Sequence, residues 1–277
     1  SKTIGHQQLV SPVRAYPGLE HASALRPDRV RGLDMVVVRE LTGGIYFGTP
    51  KECGSDWAVD TMRYTASEVE RIARVAFNLA RGRRRHVTSV DKHNILATSR
   101  LWRTVVIHVA KSYPDVALEH LLVDNASMQL VRRPGDFDVI LTENLFGDIL
   151  SDEAAILTGS IGNLPSASLT NGKPGRTFGM YEPIGGTAPD ISGKGIANPT
   201  GAILSSALLL RHSLNDKRGA ALIEQAIACT LADGLLTVDL AIPGKRTLTT
   251  CEFGDEVVAR IEDKVRRLAP FSSGPRL

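Results

Sequence analysis

The length, composition and charge of this sequence indicate a globular protein and exclude several other classes. It has 277 residues, of which 43% are hydrophobic and 23% are charged, and these proportions exclude a disordered or fibrous chain. Its net charge of +3 is too small to indicate a nucleic-acid partner, so we expect none. No apolar stretch approaches the roughly 18 residues of a membrane span, and the first part of the chain lacks a signal peptide's apolar stretch. We therefore expect a cytoplasmic protein that does not contact a membrane.

Apolar runs with β-branched residues alternate along the chain with helical periodicity, and this alternation predicts an α/β fold. The predicted strands lie at 35–38, 87–90, 117–123 and 137–142. A first helix is predicted to begin at a Ser-x-x-Glu capping box formed by Ser67 and Glu70. Further helices are predicted at 99–111, 125–133, 145–157, 198–213, 218–233 and 254–268. Segment 159–195 is rich in glycine and proline, which predicts a binding loop or linker, and the tail at 272–275 is typical of a frayed terminus.

Two aspartates four residues apart give the strongest local signal for chemistry. Asp148 and Asp152 lie in a predicted helix, where this spacing places both carboxylates on one face. Adjacent carboxylates repel each other unless a positive centre lies between them, and Mg²⁺ or Mn²⁺ prefers oxygen ligands. A solvated acidic helix face is the alternative. Asp124, at the end of a predicted strand, is a third candidate ligand, because α/β proteins commonly bind ligands there.

Three further side chains suit proton transfer or the binding of a carboxylate. Lys92 follows a predicted strand and could transfer a proton, although most lysines in such positions are surface residues. Arg39 and Tyr46 belong to the string RELTGGIYFG at 39–48. An arginine fork suits a substrate carboxylate, and a tyrosine hydroxyl can donate a proton. The alternative for this string is a glycine-rich hairpin with ordinary surface side chains.

The sequence lacks both common glycine-rich nucleotide motifs, G-x-G-x-x-G and G-x-x-x-x-G-K-[ST], so a nucleotide cofactor would need a different loop. The candidate is the stretch from Glu182 to Pro199, whose glycines permit close approach of a ligand to the backbone. Within it, Asp190 could accept hydrogen bonds from ribose hydroxyls and repel a 2′-phosphate. This stretch therefore favours NAD over NADP.

Six strings that occur in one order resemble the 3-isopropylmalate dehydrogenases, which belong to the β-decarboxylating dehydrogenases together with the isocitrate and tartrate enzymes. The strings are RELTGGIYFG (39–48), VTSVDK (87–92), VDNASMQLVRRP (123–134), ENLFGDILSDEA (143–154), LPSASL (164–169) and GTAPDISGKGIANP (186–199). Phe146 and the first string resemble the isopropylmalate branch rather than the isocitrate branch. The resemblance implies a two-domain, isopropylmalate/isocitrate dehydrogenase-like fold. It also implies NAD-dependent oxidative decarboxylation of 3-isopropylmalate in leucine biosynthesis.

The resemblance implies a metal and substrate site that is shared within a homodimer. Arg39 would bind a substrate carboxylate. Asp148 and Asp152 would hold Mg²⁺ or Mn²⁺ together with Asp124 of a second copy of the chain, and that aspartate would also contact the substrate.

The same resemblance implies the acid, the base and the cofactor contacts. Lys92 of the second copy would be the base that takes the hydroxyl proton, and Tyr46 would donate a proton after decarboxylation. The residues implied to bind NAD are Asn94, Glu182, Gly186, Thr187, Ala188, Pro189, Asp190, Ile191 and Asn198.

The domain division implied by the resemblance places the substrate, metal and dimerisation domain at 7–158. Residues 159–277, with 1–6, would form the remaining part of the NAD-binding domain, whose N-terminal part this sequence lacks. Ser11 stands where the family has a substrate-binding arginine, Gly185 replaces a histidine and His93 replaces an alanine. We therefore expect severely impaired activity from this chain alone. A non-catalytic remnant or partner subunit is the alternative, and string 39–48 disfavours a tartrate- or isocitrate-type enzyme.

Overall fold

The structure, a computed structural model, describes residues 7–170 and 177–268, so the predicted frayed tail lies outside the described residues. The strands are β1 Gln7–Arg14, β2 Asp34–Glu40, β3 Lys51–Cys53, β4 Ala58–Asp60, β5 His86–Asp91, β6 Ala117–Leu122, β7 Val139–Thr142, β8 Pro165–Thr170 and β9 Gly179–Pro183. The helices are α1 Pro27–Val30, α2 Ala66–Arg81, α3 Ala97–Ala110, α4 Val123–Arg132, α5 Asn144–Leu157, α6 Thr200–His212, α7 Lys217–Ala232 and α8 Thr250–Leu268. The predicted α/β alternation is confirmed.

A seven-stranded sheet with the order β6-β5-β7-β2-β1-β8-β9 organises the chain. Strands β6, β5, β7 and β2 are parallel neighbours, whereas β1 runs antiparallel to both β2 and β8. The four parallel strands therefore end at one edge of the sheet, which we call the carboxyl edge. Ligand sites in α/β proteins commonly form outside such an edge.

Each face of the sheet carries its own hydrophobic cluster, because side chains alternate along a strand. Val36 and Val38 of β2 pack with α2 and α3, while Met35 and Val37 pack with α4 and α5. A third cluster lies between α6, α7 and α8 and includes the buried Phe253. The run at 35–38 was recognisable as a strand because both of its faces are buried.

Strands β1, β8 and β9 were missed by the sequence patterns. Pro12 lies inside β1, and proline argues against a strand in the interior of a sheet. The structure accommodates it because β1 pairs with β8 only through residues 7–10, so Pro12 pairs with β2 alone. Strands β8 and β9 lie within the predicted loop at 159–195 and extend the sheet that includes residues 7–158. The domain boundary at 158/159 stays a prediction.

Two local assignments were wrong by one or two residues. Helix α2 begins with the capping box Thr65/Glu68 rather than Ser67/Glu70: the Thr65 hydroxyl accepts from the Glu68 N–H, and the Glu68 carboxylate accepts from the Thr65 N–H at 2.7 Å. Helix α2 therefore starts at Ala66, two residues earlier than the predicted capping box implies. Asp124 lies in the first turn of α4 and not at a strand end, because β6 ends at Leu122.

Candidate active site

Arg39, Tyr46 and Asp148 meet at the carboxyl edge. The Arg39 side chain is only 9% exposed, and its guanidinium forms an ion pair with the Asp148 carboxylate through Nη1. The Tyr46 hydroxyl donates to the other Asp148 oxygen at 2.7 Å. One carboxylate therefore receives charge-assisted hydrogen bonds from both predicted substrate-handling residues.

A buried asparagine that the sequence analysis missed holds Arg39 in place. Asn144 Oδ1 accepts from Arg39 Nε at 2.9 Å, and its amide donates to the carbonyls of Leu41 and Gly43 at 3.2 and 3.1 Å. At Gly147, an added Cβ atom would lie 2.7 Å from Arg39 Cγ, so glycine lets α5 pass close to the arginine. Asn144 thus joins the arginine to the chain that follows β2.

The chain that follows Arg39 forms a compact loop, not the alternative hairpin. The buried Glu40 carboxylate accepts from the Thr42 N–H at 3.0 Å and the Gly43 N–H at 2.7 Å, and it forms an ion pair with Arg71. A short 3₁₀ helix, Gly44–Tyr46, follows and places Tyr46 over α5. The glycine-rich string therefore builds a loop that presents Tyr46 to Asp148.

Tyr46 and Asp152 have environments that favour their protonated forms. The hydrogen bond to Asp148, followed by burial, raises the pKa of Tyr46 above its ordinary value, so the phenol keeps its proton near neutral pH. Burial, followed by the negative charge of Asp148, raises the pKa of Asp152. The two carboxylates on α5 therefore repel each other, and a cation would relieve this repulsion.

Lys92 and Asp124 form a second ionic group at the same edge. The Lys92 ammonium donates to Asp124 Oδ1 at 2.5 Å, and this bond lowers the pKa of Asp124. Lys92 directly follows β5, as predicted. Within the described residues of one chain, no three candidate side chains come close enough together to hold a metal ion. The predicted ligands Asp148 and Asp152 would therefore need a third ligand from another source.

Comparison with known families decides the assignment. A model of the isocitrate/isopropylmalate dehydrogenase family matches residues 2–257. The chain belongs to this family.

Relatives within the family are named 3-isopropylmalate dehydrogenase. The one from Heyndrickxia coagulans is 50% identical, with 96% of this chain and 72% of the relative covered. The one from Synechococcus sp. (strain JA-3-3Ab) is 56% identical, with 90% and 66% covered. The crystal structure of isocitrate dehydrogenase from Methylococcus capsulatus is 36% identical, with a TM-score of 0.80 over 92% of this chain and 73% of that one. The chain therefore spans about two thirds to three quarters of these proteins.

Ser11 lies in β1, the strand that pairs with the strand of Arg39. Leu9 of β1 lies opposite Arg39, and Ser11 lies opposite Val37, so Ser11 and Arg39 share one face of the sheet. Ser11 is fully buried, and its hydroxyl has no hydrogen-bond partner within the described residues. The position at which the resemblance predicted a substrate-binding arginine is therefore a buried serine on the face that carries Arg39.

Most of the predicted cofactor residues lie between β9 and α6, where Ile191 and Asn198 are partly buried and residues 186–190 are exposed. Gly186, Thr187, Ala188, Pro189 and Asp190 are exposed, and Glu182 is an exposed residue of β9. Asn198 closes the loop: its amide donates to Asn163 at 2.9 Å, and its oxygen accepts from the Thr200 N–H at 3.0 Å. Asn94 is exposed in the turn that follows Lys92. Cofactor contacts at these positions stay predictions.

In the parts of the chain that the structure describes, 7–170 and 177–268, no helix is both long and apolar enough to span a bilayer.

Proposed function

We propose that this chain is a 3-isopropylmalate dehydrogenase that oxidises its substrate with NAD and releases CO₂. The observation that carries the proposal is the convergence of Arg39 and Tyr46 on Asp148 at the carboxyl edge. These residues supply a carboxylate-binding fork and a protonated phenol at one place. The 50% to 56% identity with relatives named for this reaction supports the choice of substrate over isocitrate.

The chain's own residues divide the proposed reaction between them. Arg39 binds a substrate carboxylate in place of Asp148, since a guanidinium can hold two carboxylate oxygens at once. Lys92 takes the hydroxyl proton during oxidation as a neutral amine, after its ammonium has released a proton to solvent. Tyr46 donates a proton to the carbon from which CO₂ has departed, and its hydrogen bond to Asp148 keeps the phenol protonated before that step.

A divalent cation and NAD complete the proposed site. Asp148 and Asp152 would hold Mg²⁺ or Mn²⁺, and their placement one helical turn apart on α5 favours a cation there. When bound, the cation polarises the substrate oxygens and NAD accepts the hydride. The loop from Glu182 to Asn198 would bind NAD, with Asp190 near the ribose.

The exposed face formed by α4 and α5 supports the proposal of a homodimer with shared sites. On α4, Met128 and Val131 are 61% and 49% exposed and share the face of Asp124. On α5, Ile149 and Ile156 are 55% and 53% exposed near Asp152. Exposed apolar patches of this kind mark interaction sites. A second copy on this face would cover the patch and bring its own Asp124 and Lys92 towards Asp148.

The first test measures NAD reduction with 3-isopropylmalate and Mn²⁺ beside isocitrate and tartrate. Lys92→Met and Tyr46→Phe should each lower kcat by about 10²- to 10⁴-fold, because each removes a proton-transfer group. Lys111→Met, which changes an exposed lysine after α3, is the matched control and should retain activity. Equal turnover of isocitrate, or full activity of Lys92→Met, would contradict the proposal.

The second test mixes the two inactive variants. If Lys92 acts on the site of the other chain, a heterodimer of Lys92→Met and Tyr46→Phe contains one intact site. Random assortment should then restore about a quarter of the parent activity. Absence of any recovery in a mixture shown to contain heterodimers would place Lys92 and Tyr46 of one chain in one site.

A second candidate function is a non-catalytic subunit of a dimer. The observation that favours it is Ser11, which leaves no positive charge at a buried position beside the Arg39 strand. The expected result in that case is a stable dimer that binds Mn²⁺ without turnover of any of the three substrates. Ser11→Arg would then be the variant to test for gain of activity.

A further inference from the structure

A buried carboxylate lies directly before Lys92 in the sequence. Asp91 is the last residue of β5 and is 1% exposed. Both of its oxygens accept from Arg103 of α3: Nε donates to Oδ2 at 2.7 Å, and Nη2 donates to Oδ1 at 3.0 Å. This is a two-point ion pair in which one partner is almost fully removed from water.

The same carboxylate closes the turn that carries Lys92. The His93 main-chain N–H donates to Asp91 Oδ1 at 3.0 Å, so a hydrogen bond joins the residues on either side of the lysine. The Lys92 N–H donates to the buried Ser99 hydroxyl of α3 at 3.1 Å. The backbone on both sides of Lys92 is therefore fixed by side chains, and Lys92 extends from this turn to Asp124.

Asp91 and Lys92 lie on opposite faces of the sheet. Val87 of β5 packs with α2 and α3, whereas Val90 packs with α4 and α5, so the alternation directs Asp91 towards α3 and Lys92 towards α4. The Arg103 pair therefore does not share the face on which Lys92 meets Asp124. Arg103 is linked to the turn through Asp91, which also accepts from the His93 N–H.

We propose that Asp91 and Arg103 are positioning residues that hold Lys92 at its working place opposite Asp124. The proposal rests on the proposed function, in which Lys92 is the base. Loss of Arg103 would leave a buried carboxylate without its cation, which is strongly unfavourable. The turn would rearrange to expose Asp91 or to bring it another cation. Displacement of a catalytic group by about 1 Å can lower a rate by roughly 10²-fold.

The experiment compares Arg103→Met, Arg103→Lys and Asp91→Asn in the whole chain. The matched control is Arg81→Met, which removes a two-point pair with Asp115 of 2.9 and 2.7 Å at the opposite edge of the sheet. Two readouts are used: kcat and KM for the decarboxylation, and the yield of a carbodiimide crosslink between Lys92 and Asp124, measured by mass spectrometry without substrate or metal. The crosslink reports position independently of activity.

Arg103→Met and Asp91→Asn should each lower kcat about tenfold or more, with KM changed by less than about threefold, because substrate contacts are untouched. The crosslink yield should fall at least about threefold in both. Arg103→Lys should recover part of both quantities, since lysine keeps the charge but not the fork. Arg81→Met should change neither quantity. If Arg103→Met does not fold, Arg103→Lys and Asp91→Asn carry the same comparison.

The possible outcomes separate this proposal from the proposed function. Crosslink yields equal to the parent in folded Arg103 and Asp91 variants would overturn the positioning role, whatever the activity. If the parent chain shows no turnover but the crosslink yield still falls, the positioning role stands and the proposed function fails. A lower kcat with an unchanged crosslink yield would also overturn the proposal, because the effect would not act through Lys92.

Discussion

The carboxyl edge and the predicted cofactor loop differ in how far the chain itself satisfies their polar groups. At the edge, the buried Glu143 accepts from the N–H groups of Leu145 and Phe146 and from the Tyr64 hydroxyl. In the loop, segment 186–190 is exposed, and hydrogen bonds anchor mainly the two ends, at Ile184 and Asn198. Catalytic side chains must be held in place before the substrate binds, and hydrogen bonds within the protein do this at the edge. A loop that binds a ligand can instead be ordered by that ligand.

This contrast predicts that equivalent substitutions should have large effects on folding stability at the edge and small effects in the loop. At the edge, the same buried side chains stabilise the fold and position the residues of the candidate site. In the loop, we expect the consequence to appear mainly in ligand preference. The free energy of unfolding is the quantity that separates the two regions.

Asn144→Ala should have the largest effect. It removes the acceptor for Arg39 Nε and the donor for two loop carbonyls, all in a buried place. We expect a loss of about 2–4 kcal/mol in the free energy of unfolding by urea denaturation. The value of kcat/KM should also fall by about 10²-fold, because Arg39 loses its orientation.

Asn78→Ala is the control for this change, since Asn78 is an exposed residue of α2. It should alter the free energy of unfolding by less than about 0.5 kcal/mol. Similar losses for Asn144→Ala and Asn78→Ala would mean that the buried network does not stabilise the edge.

Tyr64→Phe should have the next largest effect. The Tyr64 hydroxyl donates to Glu143 and accepts from the Asn144 N–H, both at 3.0 Å, and the ring is buried. Burial and the nearby Glu143 charge raise the pKa of Tyr64, so the hydroxyl remains a donor. Phenylalanine leaves the Asn144 N–H without this partner, at a cost of about 1–3 kcal/mol. Calorimetry that detects no change in the unfolding midpoint would contradict this.

Sequence patterns predicted the longer helices and the four parallel strands, but not the antiparallel strands or the network that supports the site. The strand at 35–38 and helix α2 have local apolar patterns, so they were found. Arg39, Tyr46 and Asp148 were proposed first from residue type and spacing and then from the family strings, and the structure brings them together. The roles of Asn144 and Arg103 depend on which side chains meet after folding. Arg39 and Asn144 are 105 residues apart, and no local pattern records such a contact.

A smaller effect than that of Tyr64→Phe is expected from His120, which should make the free energy of unfolding depend on pH. Burial, followed by the positive charge of Arg103, lowers the pKa of His120, while Asp91 raises it and His93 lowers it further. The unfolded chain then binds more protons than the folded chain just below pH 6.5. Stability is therefore full above about pH 6.5 and is lost as the pH falls below that value.

His120→Asn should reduce this dependence in urea denaturation between about pH 5 and 7. The matched control is His108→Gln, which changes an exposed histidine of α3. The control should keep the parent's slope. A parent whose stability rises as the pH falls through this range would contradict the sign of the prediction.

Asp190→Lys should have the smallest effect on stability and a distinct effect on the cofactor. Asp190 is exposed in the middle of the loop, so the free energy of unfolding should change by less than about 0.5 kcal/mol. If Asp190 lies near the ribose of NAD, lysine replaces repulsion of a 2′-phosphate with attraction. The ratio of kcat/KM for NADP to that for NAD should then rise about tenfold or more.

Asp56→Lys makes the same charge change in the exposed turn between β3 and β4 and should leave the ratio unaltered. A ratio that responds equally to both substitutions would reflect the overall charge of the chain, and the loop would then lose its assignment as the cofactor site.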